Sequence, residues 1–208
     1  MAGEATSGAG PAAGGPPPGY PAEFERSVCL RDGRVVSVRP IIPGDADDLA
    51  AAIRSADAET LRRRFLGGTP AVTPKLLNRL TVVDYVTRFA LVARDARTGT
   101  GVGIARYEGL GGDAAEVAVV VDPAWRRIGV ATTLVRMLAE AAAERGIRTF
   151  TAYYLAENRA VQSLLAEAGS TGFVREGVAE REVVLDRAPA AETGEPMPGE
   201  PRESPTSP

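Results

Sequence analysis

The chain has 208 residues, a formal net charge of −3, a single cysteine and no histidine. That is enough for one domain that buries about two thirds of its unfolded surface, and the mild acidity argues against nucleic acid as a partner. The missing histidine excludes Ser-His-Asp triads, Cys-His dyads and His-based zinc sites, so no metal is expected. Cys29 alone cannot form an intramolecular disulfide, which points to a reducing, cytoplasmic compartment.

Residues 1–22 are Gly/Pro/Ala-rich and carry too little apolar surface to offset ordering entropy, so a disordered N-terminal tail is expected. This stretch lacks the basic n-region and apolar h-region of a secretory signal. A second disordered tail is expected over 188–208, leaving 23–187 as one folded unit. No apolar run approaches the length of a membrane span, so no membrane partner is expected.

Within 23–187, residues 34–39 alternate towards a strand that Pro40 and Pro43 close. Asp45 is placed to cap a helix through Leu49 and Ile53, and Asp57 to cap a second through Leu61 and Phe65. GGTP at 67–70 breaks that helix, and Pro74 opens a short one to Leu80. TRFALVARD at 87–95 and GVGIARYEG at 101–109 read as paired strands, with GLGGD at 109–113 turning into the next. That next strand is predicted to be buried, from the run Val117, Val119, Val120 and Val121. Pro123 ends it, and Ala131, Leu134, Val135, Leu138, Ala141 and Ala142 repeat at helical spacing up to a stop at Gly146. A strand over 148–155, a helix capped by Asn158, and a closing hairpin from GFVREG and AEREVVLD complete an α+β, mixed-sheet order.

Chemistry concentrates in RRIGVA, residues 126–131, between the valine-rich strand and the long helix. Small side chains at Gly129 and Ala131 let a phosphate reach the backbone amides of a helix start, and two arginines add charge. A lone glycine in such a turn is more often a packing device. No GxxxxGK[ST] loop and no GxGxxG fingerprint is present. A general base must be a carboxylate, a tyrosine, Cys29 or Lys75, the one lysine among 24 basic residues.

Arg126-x-x-Gly129-x-Ala131, preceded by VxVDPAW and followed by LAENRAVQSLLAEAG, resembles the [QR]xxGx[GA] motif and flanks of the GNAT N-acetyltransferases. LRRRFLGGTP, LTVVDYVTRFALVA, GIARYE and AEVAVVV further resemble the catalytic domain of bacterial Pat-type protein-lysine acetyltransferases. The resemblance implies a GNAT-like, mostly antiparallel sheet flanked by helices in a single domain. It also implies direct acetyl transfer from acetyl-CoA, as acyl-donor substrate, to an amine. It assigns backbone groups of Val119, Val120 and Val121 to the pantetheine arm and thioester. The amides of Arg127, Ile128, Gly129, Val130, Ala131 and Thr132 go to the pyrophosphate, with Arg126 alongside and Asn158 on the cofactor arm from the opposite side. The central strand is expected to splay from its neighbour to admit that arm.

Glu116 matches the catalytic glutamate of Pat-type enzymes. A lysine amine must lose a proton before it attacks, and a carboxylate at an apolar strand edge is expected to be desolvated towards a useful pKa. The alternative is a solvent-facing glutamate beginning a strand. Asn158 fits a helix cap as well as a ligand. Tyr153 and Tyr154 fit packing as well as the acceptor side, which Asp84 and Tyr85 are also candidates to shape. Cys29 reads most simply as a small core residue. Departures from the family pattern are Leu165, where many members carry an acid tyrosine, and Ser170-Thr171 inserted between Gly169 and Gly172-Phe173. Regulatory domains attached to some Pat-type enzymes are not expected within this length. Three functions stay open: protein-lysine acetylation, acetylation of a small amine, and acyl-CoA binding without turnover.

Overall fold

The computed structural model describes residues 15–66, 70–167, 171–175 and 177–185. Eight strands form one sheet: β1 (Arg26–Cys29), β2 (Val35–Pro40), β3 (Arg88–Asp95), β4 (Gly101–Gly111), β5 (Ala114–Val121), β6 (Thr149–Leu155), β7 (Thr171–Arg175) and β8 (Val178–Val184). Their spatial order is β1-β2-β3-β4-β5-β6-β8-β7, and only the β5·β6 pair is parallel. Helices α1 (Ala46–Ser55), α2 (Ala58–Phe65), α3 (Pro74–Thr81), α4 (Val130–Glu144) and α5 (Arg159–Glu167) flank it. This is the mixed, mostly antiparallel α+β architecture expected from the sequence.

The parallel pair has a local cause. Antiparallel neighbours need only a hairpin, whereas parallel strands need a crossover, and α4 is that crossover. It lies against β3, β4 and β5, burying Val130, Leu134, Met137, Leu138, Ala141 and Ala142. Gly146 ends it at φ +79, with the Ile147 N–H reaching back to the Ala142 carbonyl (3.0 Å). The helix α1 packs on the same sheet from the side of Ile104, Ala118 and Val120, joined by α2 and α3. A smaller cluster of Ala152, Tyr154, Leu165, Ala179 and Val183 holds α5 to β6 and β8.

Several expectations change. The strand β1 was not foreseen, because RSVC has no clear alternation; pairing with β2 makes it a strand. Placed chain also begins before residue 23: the Tyr20 ring packs edge-on against Tyr85 at 5.9 Å and Pro21 is buried. Asp45 precedes α1 but does not cap it with its side chain. Its carboxylate is occupied by Arg39 (2.5 and 2.8 Å), Arg94 (3.3 Å) and the Ile42 N–H (2.9 Å), as a buried charge requires. Asp57 caps α2 as expected, accepting from the Thr60 N–H at 2.7 Å. Cys29 is exposed, not a core residue. Residues 67–69, where the helix break was expected, Gly169 and Ser170 of the insertion, and the tails 1–14 and 186–208 lie outside the described residues.

One glycine sets how closely α4 approaches the sheet. A Cβ on Gly103 would lie 3.1 Å from Val130 Cγ1, 3.2 Å from Leu134 Cδ1 and 3.3 Å from the Val120 carbonyl oxygen. Val130 and Leu134 are themselves fully buried and cannot retreat. Gly103→Ala is therefore expected to destabilise the fold by about 1–3 kcal/mol through overpacking. Urea unfolding checks this, as a lower midpoint with an unchanged m-value.

Candidate functional site

The site begins with the alternation of backbone directions along β5. The Asp113 carbonyl accepts from the Arg148 (2.7 Å) and Thr149 (3.1 Å) amides on the β6 side, whereas the Asp122 N–H donates to Val102 (2.9 Å) on β4. Odd-numbered positions of β5 thus turn their backbone groups towards β6, and even-numbered ones towards β4. Pairing with β6, however, runs only from Ala114↔Thr149 to Val117↔Ala152. Beyond Val117 the two strands separate, as the family resemblance implied, and the backbone of Val119 and Val121 faces the gap. The Val121 carbonyl is taken by Arg126 Nε at 3.1 Å. Val119 keeps both groups free of a strand partner among the described residues. Val120 does not share this role: its carbonyl turns to Gly103 on β4.

This opening also corrects the expectation of a buried strand. In β5 only Ala115 and Val121 are buried, and positions 117–120 are half-buried. Side chains of Val117, Val119 and Val121 pack towards the α4 core. Those of Ala118 and Val120 line a cavity of about 100 Å³ beneath α1 and α2.

At the end of β5, Asp122 accepts from the Ala124 N–H (2.8 Å) and starts a single 3-10 turn over Pro123–Trp125. Arg127 (φ +64) and Gly129 (φ +109) are both left-handed, a conformation that makes concave arrays of amides and that costs a non-glycine residue strain. None of the N–H groups of Arg127, Ile128, Gly129, Val130, Ala131 and Thr132 has a hydrogen-bond partner among the described residues. A Cβ built on Gly129 meets only Leu30 Cδ2, at 4.0 Å, so the space above these amides is open. Orphan donors at the start of a 15-residue helix, strained into a cradle beside open space, fit a pyrophosphate.

Arg126 is engaged elsewhere. Besides Val121, it donates from Nη2 to Thr60 Oγ1 at 2.7 Å, tying the loop to α2. Arg127, exposed and without such bonds among the described residues, is the better-placed charge beside the cradle. Asn158 acts as a helix cap: its Oδ1 accepts from the Val161 N–H (3.4 Å) and its carbonyl from Val161 and Gln162.

Glu116 lies on the α1–α3 face, one alternation along from Ala118. It is exposed, with no ion pair or hydrogen bond among the described residues, so the desolvated setting expected for it is absent. Register puts Glu108, Glu116, Thr151 and Glu182 in one row across four strands. Glu108 is paired with Arg79 (2.9 Å) and Arg88 (3.8 Å); Glu116 and Glu182 are exposed carboxylates. Tyr153, on the next rung, hydrogen-bonds Glu180 (3.2 Å). Desolvation, then that bond and the charges of Glu180, Glu116 and Glu182, raise its pKa. Tyr154, by contrast, is core.

Tyr85 and Asp84 are not part of the site. Tyr85 is buried, its hydroxyl donating to the Ile41 carbonyl (2.7 Å) and its own carbonyl accepting from Arg145 beyond the far end of α4. The Asp84 carboxylate closes a turn through the Val86 and Arg88 amides (2.8 Å each). Leu165 is buried in the α5 cluster and offers no proton. Two participants were missed: Thr60, which anchors Arg126, and Arg106, buried in the cavity wall. Only Arg106 left a signal, as a charge inside the apolar alternation of GIARYE.

With this geometry in place, the family comparisons are unambiguous. Residues 36–171 match the acetyltransferase (GNAT) domain model. The chain is 31% identical over 151 residues to acetyltransferase Pat of Mycolicibacterium smegmatis, which covers 72% of this chain but only 45% of that protein. An acetyltransferase of Pseudomonas aeruginosa is 32% identical over 146 residues, covering 69% of this chain and 78% of the relative. Among solved structures, the GNAT domain of Streptomyces lividans PAT superposes with a TM-score of 0.74 at 34% identity, over 80% of this chain and 99% of that domain. The chain belongs to the GNAT acetyltransferase family, whose members take their acyl group from acetyl-CoA. Within it, the chain is similar to Pat acetyltransferases.

Gly129→Asp puts bulk and negative charge where the cradle's orphan amides expect an anion. Its affinity for acetyl-CoA is expected to fall at least tenfold in isothermal titration, with the far-ultraviolet dichroism unchanged. Unaltered affinity in a folded variant would remove the cradle from the site.

Proposed function

We propose that this protein is an acetyl-CoA-dependent protein-lysine N-acetyltransferase working by direct transfer, with Glu116 as general base. The observation that carries the reading is the pairing, on one strand, of a free exposed carboxylate at Glu116 with an unpaired backbone amide at Val119. The amides of 127–132 hold the pyrophosphate, the backbone of Val119 and Val121 tracks the pantetheine arm, and the acyl carbonyl rests at the Val119 N–H. Glu116 takes a proton from the lysine ammonium. The freed amine forms the C–N bond to the carbonyl carbon, the Val119 amide supports the oxyanion, and the C–S bond breaks to release CoA as a thiolate. The nitrogen, once bonded to the acyl carbon, sheds its second proton through water to the thiolate, since Leu165 has none to give. Three residues of strand separate Glu116 from Val119, about 10 Å between Cα atoms. That is more than a glutamate side chain spans, so one water relays the proton.

The acceptor reading rests on charge. The carboxylates of Glu116 and Glu182, unpaired among the described residues, flank the face on which the amine arrives and favour a cation. Exposure of Glu116 suits a lysine presented on another protein's surface. The likeness to Pat enzymes supports the same choice. A small amine remains the rival acceptor, and a panel of lysine peptides, whole proteins and polyamines separates the two by kcat/KM. A module that binds acyl-CoA without turnover is disfavoured by the free carboxylate itself. The lone exposed thiol of Cys29 suits a reducing, cytoplasmic setting, and no helix among the described residues is long and apolar enough to cross a membrane.

Glu116→Gln keeps shape and removes the base. Its kcat/KM towards a lysine peptide is expected to fall by about 10²–10⁴ at neutral pH, within the usual range for a lost general base. The deficit should shrink as pH rises towards the ordinary lysine pKa of about 10.4, because the amine then arrives deprotonated without help. A variant with wild-type kcat/KM across that range would sink the assignment.

A further inference from the structure

The cavity beneath α1 and α2 has apolar walls, including Leu49, Ile53, Phe65 and Ile104, and two cations, Arg64 and Arg106. Arg106 lies in β4 opposite Ala118, in the middle of the sheet, and is only 6% exposed. Both of its terminal nitrogens, Nη1 and Nη2, are buried without a hydrogen-bond partner among the described residues. The nearby carboxylates do not serve it. Glu108 is bound by Arg79 and Arg88, and Glu116 stands exposed at the rim. The nearest cation makes matters worse: Arg64 lines the same cavity from α2. Desolvation above all, then Arg64, lowers the Arg106 guanidinium to about 10, against an opposing pull from Glu108. The group is therefore still charged at neutral pH.

An unpaired buried guanidinium is a heavy burden on a fold, and a well-packed apolar residue would serve packing better. Arginine's planar fork is suited to one kind of partner, a carboxylate received through two parallel hydrogen bonds. The cavity offers about 100 Å³, the room of a few waters or of a short chain. Its wall includes Ala118 and Val120, the neighbours of the Val119 amide on β5. A group extending from an acyl carbon held at Val119 would reach this wall across the Ala118 and Val120 side chains.

We propose that this cavity is a carboxylate subsite: it takes a short apolar stem ending in a carboxylate, which Arg106 clasps. The carboxylate has two chemical sources. One is the far end of a dicarboxylic acyl chain on the donor thioester, such as succinyl; the other is an acidic side chain next to the acceptor amine. The first rests on the acyltransferase reading above. The bond changes are the same for either acyl group: C–N forms, C–S breaks, the ammonium gives one proton to Glu116 and, once acylated, a second through water to the departing CoA thiolate, and the distal carboxylate is carried over unaltered.

The test uses the full chain and two arms. In the donor arm, binding of succinyl-CoA is compared with that of butyryl-CoA, a neutral chain of the same length, by calorimetry without any acceptor. In the acceptor arm, acetyl transfer to lysine peptides with glutamate flanks is compared with transfer to peptides with glutamine flanks. At least a tenfold preference for the carboxylate is expected in one arm, identifying the source, and Arg106→Met should abolish it while Arg106→Lys retains part. Arg106→Met should also raise the melting temperature of the ligand-free protein, which a merely structural arginine would not do. Equal preference ratios in wild type and Arg106→Met in both arms overturn the proposal. If the variants fail to fold, absence of any carboxylate preference in the wild type overturns it alone. Tight butyryl-CoA binding without preference in either arm refutes only the subsite, whereas no binding of any CoA thioester refutes the acyltransferase reading with it.

Discussion

The parting of β5 from β6 after Val117 is the constraint on which everything else hangs. A sheet interior normally satisfies every backbone amide, and leaving two strands unpaired in its middle exposes groups that want partners. The fold limits that loss. On the β4 side the ladder continues to Gly103↔Val121, so only one flank of β5 is opened. Arg126 fills the Val121 carbonyl and hydrogen-bonds α2 through Thr60, which props the wedge from its wide end. Val119 is what is left over.

Because strand residues alternate, one β-strand supplies two different chemistries. Odd positions give backbone to the gap and side chains to the α4 core. Even positions give backbone to β4 and side chains to the face under α1 and α2. The gap is therefore lined by main chain, which substitution cannot easily remove, and the opposite face is made of side chains, which can change. Helix α4 then fixes the distance between gap and cradle. Its first turn carries the orphan amides, and its buried Val130 and Leu134 press against Gly103.

Much of this was legible in the residues, for reasons that separate the successes from the failures. Helix α4 announced itself through period. The cradle announced itself through Gly129 and Ala131, because small side chains at a helix start leave its free amides open to a ligand. Expectations failed where tertiary contacts decide. Asp45 has the right residue type and position for a cap, yet two arginines from β2 and β3 claim its carboxylate. Cys29 looked apolar enough for the core, but its strand is the sheet edge. Tyr85 sits in a stretch resembling Pat enzymes, but its ring meets Tyr20 and Phe89 edge-on in the aromatic core. Val120 could not be told from Val119 and Val121 in a run of valines, since which way an amide points depends on register.

Arg106 was the least legible of all, because alternation says which face a residue takes but not whether its charge is answered there. Several other arginines are answered by carboxylates: Arg39 and Arg94 meet Asp45, Arg62 meets Glu59 and Glu157, Arg79 meets Glu108. Beside these, a guanidinium buried at the centre of the sheet without a carboxylate among the described residues stands out by contrast. Stability gives no reason to keep it there, since an unpaired buried charge weakens a fold more than a methionine of similar size would. The cation borders Ala118 and Val120, the neighbours of Val119 on the strand that opens towards the gap. The position makes sense if the missing carboxylate arrives with a substrate.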